Sequence, residues 1–155
     1  MNKNSNIGFI GLGNMGKPIF DNLNKEFSNI FCFDKDTSKL KKNNFLSTLD
    51  EIFKKCKIII FCIESNDQIL DIIKENKIKK NTIIIDLTSS LPELSNKISS
   101  YLKKFESHYI DAGMSGGATG ASKGTLTLML GGSKTICKKI DFILKIFAKN
   151  IFYLG

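Results

Sequence analysis

Two glycine clusters interrupt a chain otherwise rich in Lys, Asn, Ile and Phe. The first is GFIGLGNMGKPIF, residues 8–20, in which Gly11, Gly13 and Gly16 form G-x-G-x-x-G. An apolar run precedes it and a stretch with helical spacing follows, the context that gives this spacing a physical meaning. Gly11 permits a tight turn out of a strand. Gly13, lacking a Cβ, lets a pyrophosphate approach the backbone, and Gly16 lets the helix pack close to the sheet. The phosphates would then meet free N–H groups and the positive dipole end of that helix. Leu12, Asn14 and Met15 complete this candidate cofactor-binding turn. The plainer alternative is a glycine-rich turn with no ligand.

The next apolar run, IFCFDKD, ends in Asp34, where a ribose-binding acid belongs. A carboxylate there accepts hydrogen bonds from the adenosine hydroxyls and repels a 2′-phosphate. Every basic residue of the chain is Lys, so no Arg is available for that phosphate. NAD is therefore favoured over NADP, with Lys35 the nearby group that could pair with a phosphate instead. Asp36 also reads as the N-cap of a following helix.

The second cluster is DAGMSGGATGASKG, residues 111–124. Its side chains shrink almost to nothing. Small residues at the C-terminal edge of a sheet leave room for a nicotinamide and a small substrate. Consecutive glycines expose N–H groups that can bind a carboxylate, and Ser115 adds a hydroxyl. The stretch thus reads as a substrate floor, against the alternative of a flexible surface loop.

The elements that must position these residues alternate. Apolar runs at 6–11, 29–33, 57–63, 82–87 and 108–112 fit strands buried on both faces. Helical spacing appears at 14–26, 66–76, 91–104 and about 134–147, with Leu91–Pro92 a favourable helix entry and shorter segments at about 37–42 and 48–55. Late strands are expected at 125–130 and 151–154. Uninterrupted strand–helix alternation implies crossover connections. The expectation is an α/β fold of Rossmann type: a doubly wound, mainly parallel sheet with helices on both faces, in a single domain over 1–155.

Composition narrows the function classes. The net charge of +8 suggests nucleic acid, but the lysines are scattered in doublets such as Lys41–Lys42 and Lys103–Lys104, the pattern of solvated helix faces. No nucleic-acid partner is expected. Neither a signal peptide nor a membrane-length apolar run is evident, so a cytoplasmic protein with no membrane partner is expected. The four cysteines form no C-x-x-C pair, and Cys32 and Cys62 lie inside apolar runs, where they read as buried, reduced residues. With one histidine, His108, and no cluster at ligand spacing, no metal site is expected.

IGFIGLGNMGKPI followed late in the chain by DAGMSGGATGASKGTLTLMLGG resembles the β-hydroxyacid dehydrogenases, the family of 3-hydroxyisobutyrate and 6-phosphogluconate dehydrogenases. The resemblance implies hydride transfer between a nicotinamide cofactor and a small 3-hydroxy acid. It implies that Ser115, Gly116 and Gly117 hold the substrate, although the family's Ala-Pro-Val lead-in is replaced by Ala112, Gly113 and Met114. IDLTSS at 85–90 resembles a family strand end near nicotinamide and substrate, which implies a substrate contact from Thr88 and a cofactor contact from Ser89; helix capping is the competing role. CIESNDQI at 62–69 resembles a cofactor-touching loop, implying contacts from Ile63, Glu64 and Gln68.

The family also implies a catalytic Lys on a helix following the last strand, and an all-helical domain after it. Neither Lys17 nor Lys123 matches that Lys, so no catalytic residue is assigned and the helical domain is taken as absent. The expectation is a cofactor-binding half with little or no turnover. The alternative is a standalone dinucleotide-binding or sensing module, or a subunit pairing with a separate helical partner. Self-association or such a partner would use the face left uncovered.

Overall fold

A computed structural model describes residues 5–40 and 47–155. The Lys41–Lys42 doublet and the end of the segment expected at 37–42 lie outside the described residues. Among those described, one sheet contains β1 (Ile7–Ile10), β2 (Ile30–Phe33), β3 (Ile58–Phe61), β4 (Ile83–Asp86), β5 (His108–Ser115), β6 (Leu126–Gly132) and β7 (Ala148–Tyr153). The order is β2-β1-β3-β4-β5-β6-β7. β1 to β5 pair in parallel, β5 and β6 pair antiparallel, and β6 and β7 are again parallel to each other. The mainly parallel doubly wound sheet expected from the sequence is therefore the fold, with a reversed pair of strands at one edge.

Every residue of β1, β3 and β4 is buried, because helices cover both faces and each side chain meets a core. On one face, Ile7, Phe9, Ile58, Ile60, Ile83 and Ile85 pack with α1 (Gly16–Glu26), α5 (Gly117–Lys123) and α6 (Lys134–Leu144). On the other, Ile10, Ile59, Phe61, Ile84 and Tyr109 pack with α2 (Leu49–Lys55), α3 (Asp67–Glu75) and α4 (Pro92–Lys103). This second layer stops at β5. Beyond it Met129 of β6 lies in register with Phe152 of β7, both exposed, with Leu154 exposed close by.

The second glycine cluster departs from its expected form. It is no bare loop: β5 runs on through Gly113 to Ser115, paired with β6, and Gly117–Lys123 forms α5 inside the β5–β6 connection. Two further elements shift, with β7 beginning at Ala148 and α6 ending at Leu144. The small residues of α5 have a packing reason. Gly120 and Ala121 are buried, and a Cβ on Gly120 would lie 3.2 Å from Leu126 Cδ2. Asn22 of α1 binds the end of this helix, its Nδ2 donating to the carbonyls of Ala121 (2.9 Å) and Ser122 (3.2 Å). The left-handed Gly124 then ends it.

Candidate functional site

β1 leads outward to β2, and the chain then returns across β1 to β3, so the connections leave β1 in opposite directions at the shared carboxyl edge. Open α/β sheets bind ligands at such a switch point. Here a cleft of about 610 Å³ opens there.

The first glycine cluster forms its floor, and its three glycines do different things. Gly11 has φ +101, and a Cβ on it would lie 2.2 Å from the carbonyl oxygen of Cys62, so the turn out of β1 admits no side chain. A Cβ on Gly16 would lie 2.0 Å from the carbonyl oxygen of Gly11 and 3.3 Å from the Phe9 ring, so close packing of helix on strand requires glycine here. A Cβ on Gly13 would meet nothing within 4 Å. Gly11, Gly13, Asn14, Met15 and Gly16 all line the cleft. Leu12 does not: its side chain is buried in the core and its backbone N–H is committed to Asp34. α1 begins at this turn with no side-chain cap and no acid in its first turn. The first N–H groups of a helix have no intrahelical acceptor, and its dipole places positive charge there.

Asp34 and Lys35 line the far end of the same cleft. The Asp34 carboxylate is almost fully buried and fixed by backbone: Oδ2 accepts the N–H of Leu12 at 2.6 Å and Oδ1 that of Asp36 at 2.8 Å. The first of these bonds ties the end of β2 to the glycine turn. Asp36 accepts the N–H and hydroxyl of Ser38 at 3.0 and 2.6 Å, at the head of a short 3-10 turn, Thr37–Leu40. Those bonds hold its carboxyl below the usual range.

Ile63, Glu64 and Gln68, after β3, and Thr88 and Ser89, after β4, complete the walls named from the sequence. The capping role weighed for Thr88 and Ser89 is not adopted. α4 has Leu91 as its N-cap with no side-chain cap bond. Thr88 instead ties two walls together, its hydroxyl oxygen accepting the N–H of Ile63 at 3.3 Å.

A polar network behind this wall fixes the turn. Asp86, fully buried, accepts the Thr88 N–H at 2.8 Å and the Tyr109 hydroxyl. Its in-register neighbour Asp111 accepts the hydroxyls of Ser90 and Ser95, each at 2.8 Å. Burial, with Asp111 adding to it, raises the Asp86 carboxyl above its ordinary value despite the hydrogen bonds from Tyr109 and Thr88. Burial and the adjacent Asp86 likewise raise the Tyr109 hydroxyl.

Ser115, Gly116 and Gly117 are exposed and do not line the cleft, which reaches Met114, their immediate neighbour. β5 runs parallel to β4 and past its end, so these residues do lie at the same edge of the sheet. Sequence reasoning missed Ile10, Phe33, Lys39, Leu49, Cys62, Ile72, Leu87 and Met114 among the lining residues. Most are apolar and indistinguishable from core in a linear pattern. Lys39 had a usable signal, a basic residue within a turn of Asp34. Cys62 corrects an expectation: it is half-buried at the cleft, and burial followed by the Asp86 charge pushes its thiol up to about 12.

The comparisons with known proteins agree with this architecture. Residues 6–155 match the family described as the NAD binding domain of 6-phosphogluconate dehydrogenase. The chain is 32% identical over 170 residues to a 2-(hydroxymethyl)glutarate dehydrogenase of Eubacterium barkeri, covering 100% of this chain and 55% of that protein. It is 30% identical over 158 residues to the mitochondrial 3-hydroxyisobutyrate dehydrogenase of Drosophila melanogaster, covering 97% and 49% respectively. The chain therefore spans about half the length of these curated relatives. A Mycobacterium tuberculosis 3-hydroxyisobutyrate dehydrogenase structure with L-serine superposes with a TM-score of 0.91 at 21% identity, over 98% of this chain and 55% of that one. No helix among the described residues is long and apolar enough to cross a membrane.

Proposed function

The chain belongs to the family of NAD binding domains described for 6-phosphogluconate dehydrogenase, and from that premise we propose that its cleft is the cofactor half of a dehydrogenase acting on a small 3-hydroxy acid. One observation carries the reading. Gly13 is the glycine of its motif whose missing Cβ leaves space open toward the cleft, while Gly11 and Gly16 are required by the chain itself. The space fits a ligand that must approach backbone closely, and the adjoining helix start suits an anion.

In this reading the turn from Gly11 to Gly16 holds the pyrophosphate, with Asn14 and Met15 exposing backbone between the glycines. Asp34 accepts a ribose hydroxyl, and its fixed orientation means little order must be imposed on binding. Lys35 sits beside it at the adenosine end. Ile63, Glu64 and Gln68 form one wall; Thr88 and Ser89 present hydroxyls to the nicotinamide end, held in place by Asp86. When bound, the nicotinamide supplies the hydride acceptor. Ser115, Gly116 and Gly117, outside the cleft but at its edge, would hold the substrate carboxylate. Both named curated relatives carry hydroxy-acid dehydrogenase names, which supports that substrate class.

A second reading is a binding module that works with a separate helical partner or a second copy. The exposed Met129, Phe152 and Leu154 on the sheet face that α4 leaves uncovered favour it. Sedimentation of the purified chain tests its second-copy form, since a stable monomer at micromolar concentration removes self-association and leaves only the separate helical partner.

The cofactor reading is tested by titrating NADH into the chain and into Gly13→Val. The branched side chain should leave the fold intact, because its Cβ has room, and weaken NADH by about 100-fold or more through exclusion of the pyrophosphate. Equal affinity in the two proteins would show that the site lies elsewhere.

A further inference from the structure

On α1, α2 and α6, acids and lysines stand at i,i+4 and pair within the helix or with its last turn: Lys17 with Asp21, Asp50 with Lys54, Glu51 with Lys55 and Asp141 with Lys145. α3 and α4 break this pattern. Asp67, Asp71 and Glu75 recur every fourth residue along α3, which stacks like charges and works against the helix. All three are exposed. α4 and its C-cap carry Lys97 and Lys104, also exposed, on the flank that turns toward α3. Among the described residues, Asp71, Glu75, Lys97 and Lys104 form no ion pair. A groove of about 470 Å³ runs between the two helices. Half-buried Leu70 and Tyr101 form its floor, and exposed Lys74, Lys97 and Lys104 stand at its rim. No acid lines it; Glu93, one turn before Lys97, lies outside.

β3, β4 and β5 are parallel, so the helices that connect them lie side by side and point the same way. Together they present an acidic stripe beside a basic groove. We propose that this α3–α4 surface is a self-association face, occupied by the same surface of a second copy of this chain. A two-fold axis along the line between the helices lays each α3 on the partner's α4, whereas an axis across them would lay acid on acid. The stripe from Asp67 to Glu75 rises about 12 Å and the step from Lys97 to Lys104 about 10 Å, a difference that flexible lysine stems absorb. Asp71 then faces the partner's Lys97, and Glu75 the partner's Lys104. Each charge meets a counter-charge that its own chain does not supply, and the apolar floor loses water. α3 and α4 are only about 14 and about 18 Å long, so the interface is small and leans on charge. Exposed ion pairs are weak and salt-screened, which makes the dimer weak and salt-sensitive. Gln68 and Ile72, on another flank of α3, line the cofactor cleft and stay clear of the contact. This face is separate from the cleft and from exposed Met129 and Phe152, and its use requires neither.

The experiment sediments the full 155-residue chain at concentrations up to about 300 µM, in about 50 mM and about 500 mM salt. The chain should dimerise with a dissociation constant of about 100 µM or tighter in low salt, and at least about fivefold more weakly in high salt. Asp71→Lys and Lys97→Glu, both at exposed positions, should each weaken the dimer by about tenfold or more while circular dichroism stays unchanged. Mixed in equal amounts, the two variants should recover a dimer within about threefold of wild type, because every contact of the mixed pair again joins a lysine to an acid. The double variant should recover it for the same reason, and Phe152→Ser should leave it intact. A wild-type chain that stays monomeric at about 300 µM in low salt overturns the proposal. So does a mixture of the two variants that stays monomeric, or a dimer that Phe152→Ser abolishes and Lys97→Glu does not. A monomer that instead binds a glutamate-rich peptide, and loses it in Lys97→Glu, overturns it in favour of a separate acidic partner.

Discussion

The two glycine clusters are alike in composition and opposite in what their missing side chains make room for. In the turn after β1, Gly11 and Gly16 are filled against by the chain's own backbone, and Gly13 faces open space. In the connection between β5 and β6, Gly120 and Ala121 are buried in a short helix against β6, and the exposed Ser115–Gly117 segment stands outside the cleft. Small residues next to a sheet edge can thus serve a ligand or serve packing. Only the neighbour across the gap tells which.

The sharpest way to break this contrast is Gly11→Ala. The new Cβ would meet the Cys62 carbonyl in a left-handed backbone, and the chain should lose at least about 3 kcal/mol of stability in urea denaturation. Gly13→Ala should stay within about 0.5 kcal/mol in the same assay. Comparable losses at both positions would mean that the first cluster, like the second, is built for packing.

A smaller effect tests how the clusters are joined. Asn22 sits on the helix that begins at the first cluster and caps the helix inside the second. Asn22→Ala should cost about 1–2 kcal/mol, from two lost hydrogen bonds to carbonyls. It should leave NADH affinity unchanged, because neither bond touches the cleft. A drop in NADH affinity with no loss of stability would instead make α5 part of the cofactor site.

The third test reads a slope. Asp86 lies behind the cleft wall, and its strand neighbour Asp111 opens the second cluster. Its carboxyl is raised by burial, so the folded chain holds that proton more tightly than the unfolded one. The unfolded state then binds fewer protons, and the stability from this group, complete below about pH 4, is lost as pH rises through the raised value. Asp86→Asn removes the titration. The stability of the wild type minus that of the variant should fall as pH increases above about 4. A flat difference between acid and neutral pH would show that the network does not strain Asp86.

Much of this was legible in the linear chain. The five apolar runs from 6–11 to 108–112 became β1 to β5, although only β1, β3 and β4 are buried at every residue, as an unbroken apolar run requires, while β2 and β5 keep half-buried positions. Eleven of the twelve residues named as cofactor contacts line one cleft, since the motif fixes its own turn and places its helix. Leu12 alone of the twelve does not line it, because its side chain follows the strand into the core while its N–H turns to Asp34. The helix at Gly117–Lys123 went unseen because glycine disfavours helix locally, and burial against Leu126 and the cap from Asn22 override that preference.

The sequence by itself determined the alternation of elements, the glycine turn and the acid at the end of β2, all properties of neighbouring residues in the chain. Tertiary structure alone decided that Lys39 faces Asp34, that Thr88 braces Ile63, and that Gly13 looks onto open space while Gly16 does not. The physical reason is separation in sequence. A tight turn is specified by the residues within it, whereas the charge and vacant space of a cleft are sums over elements that come together only when the sheet closes its order.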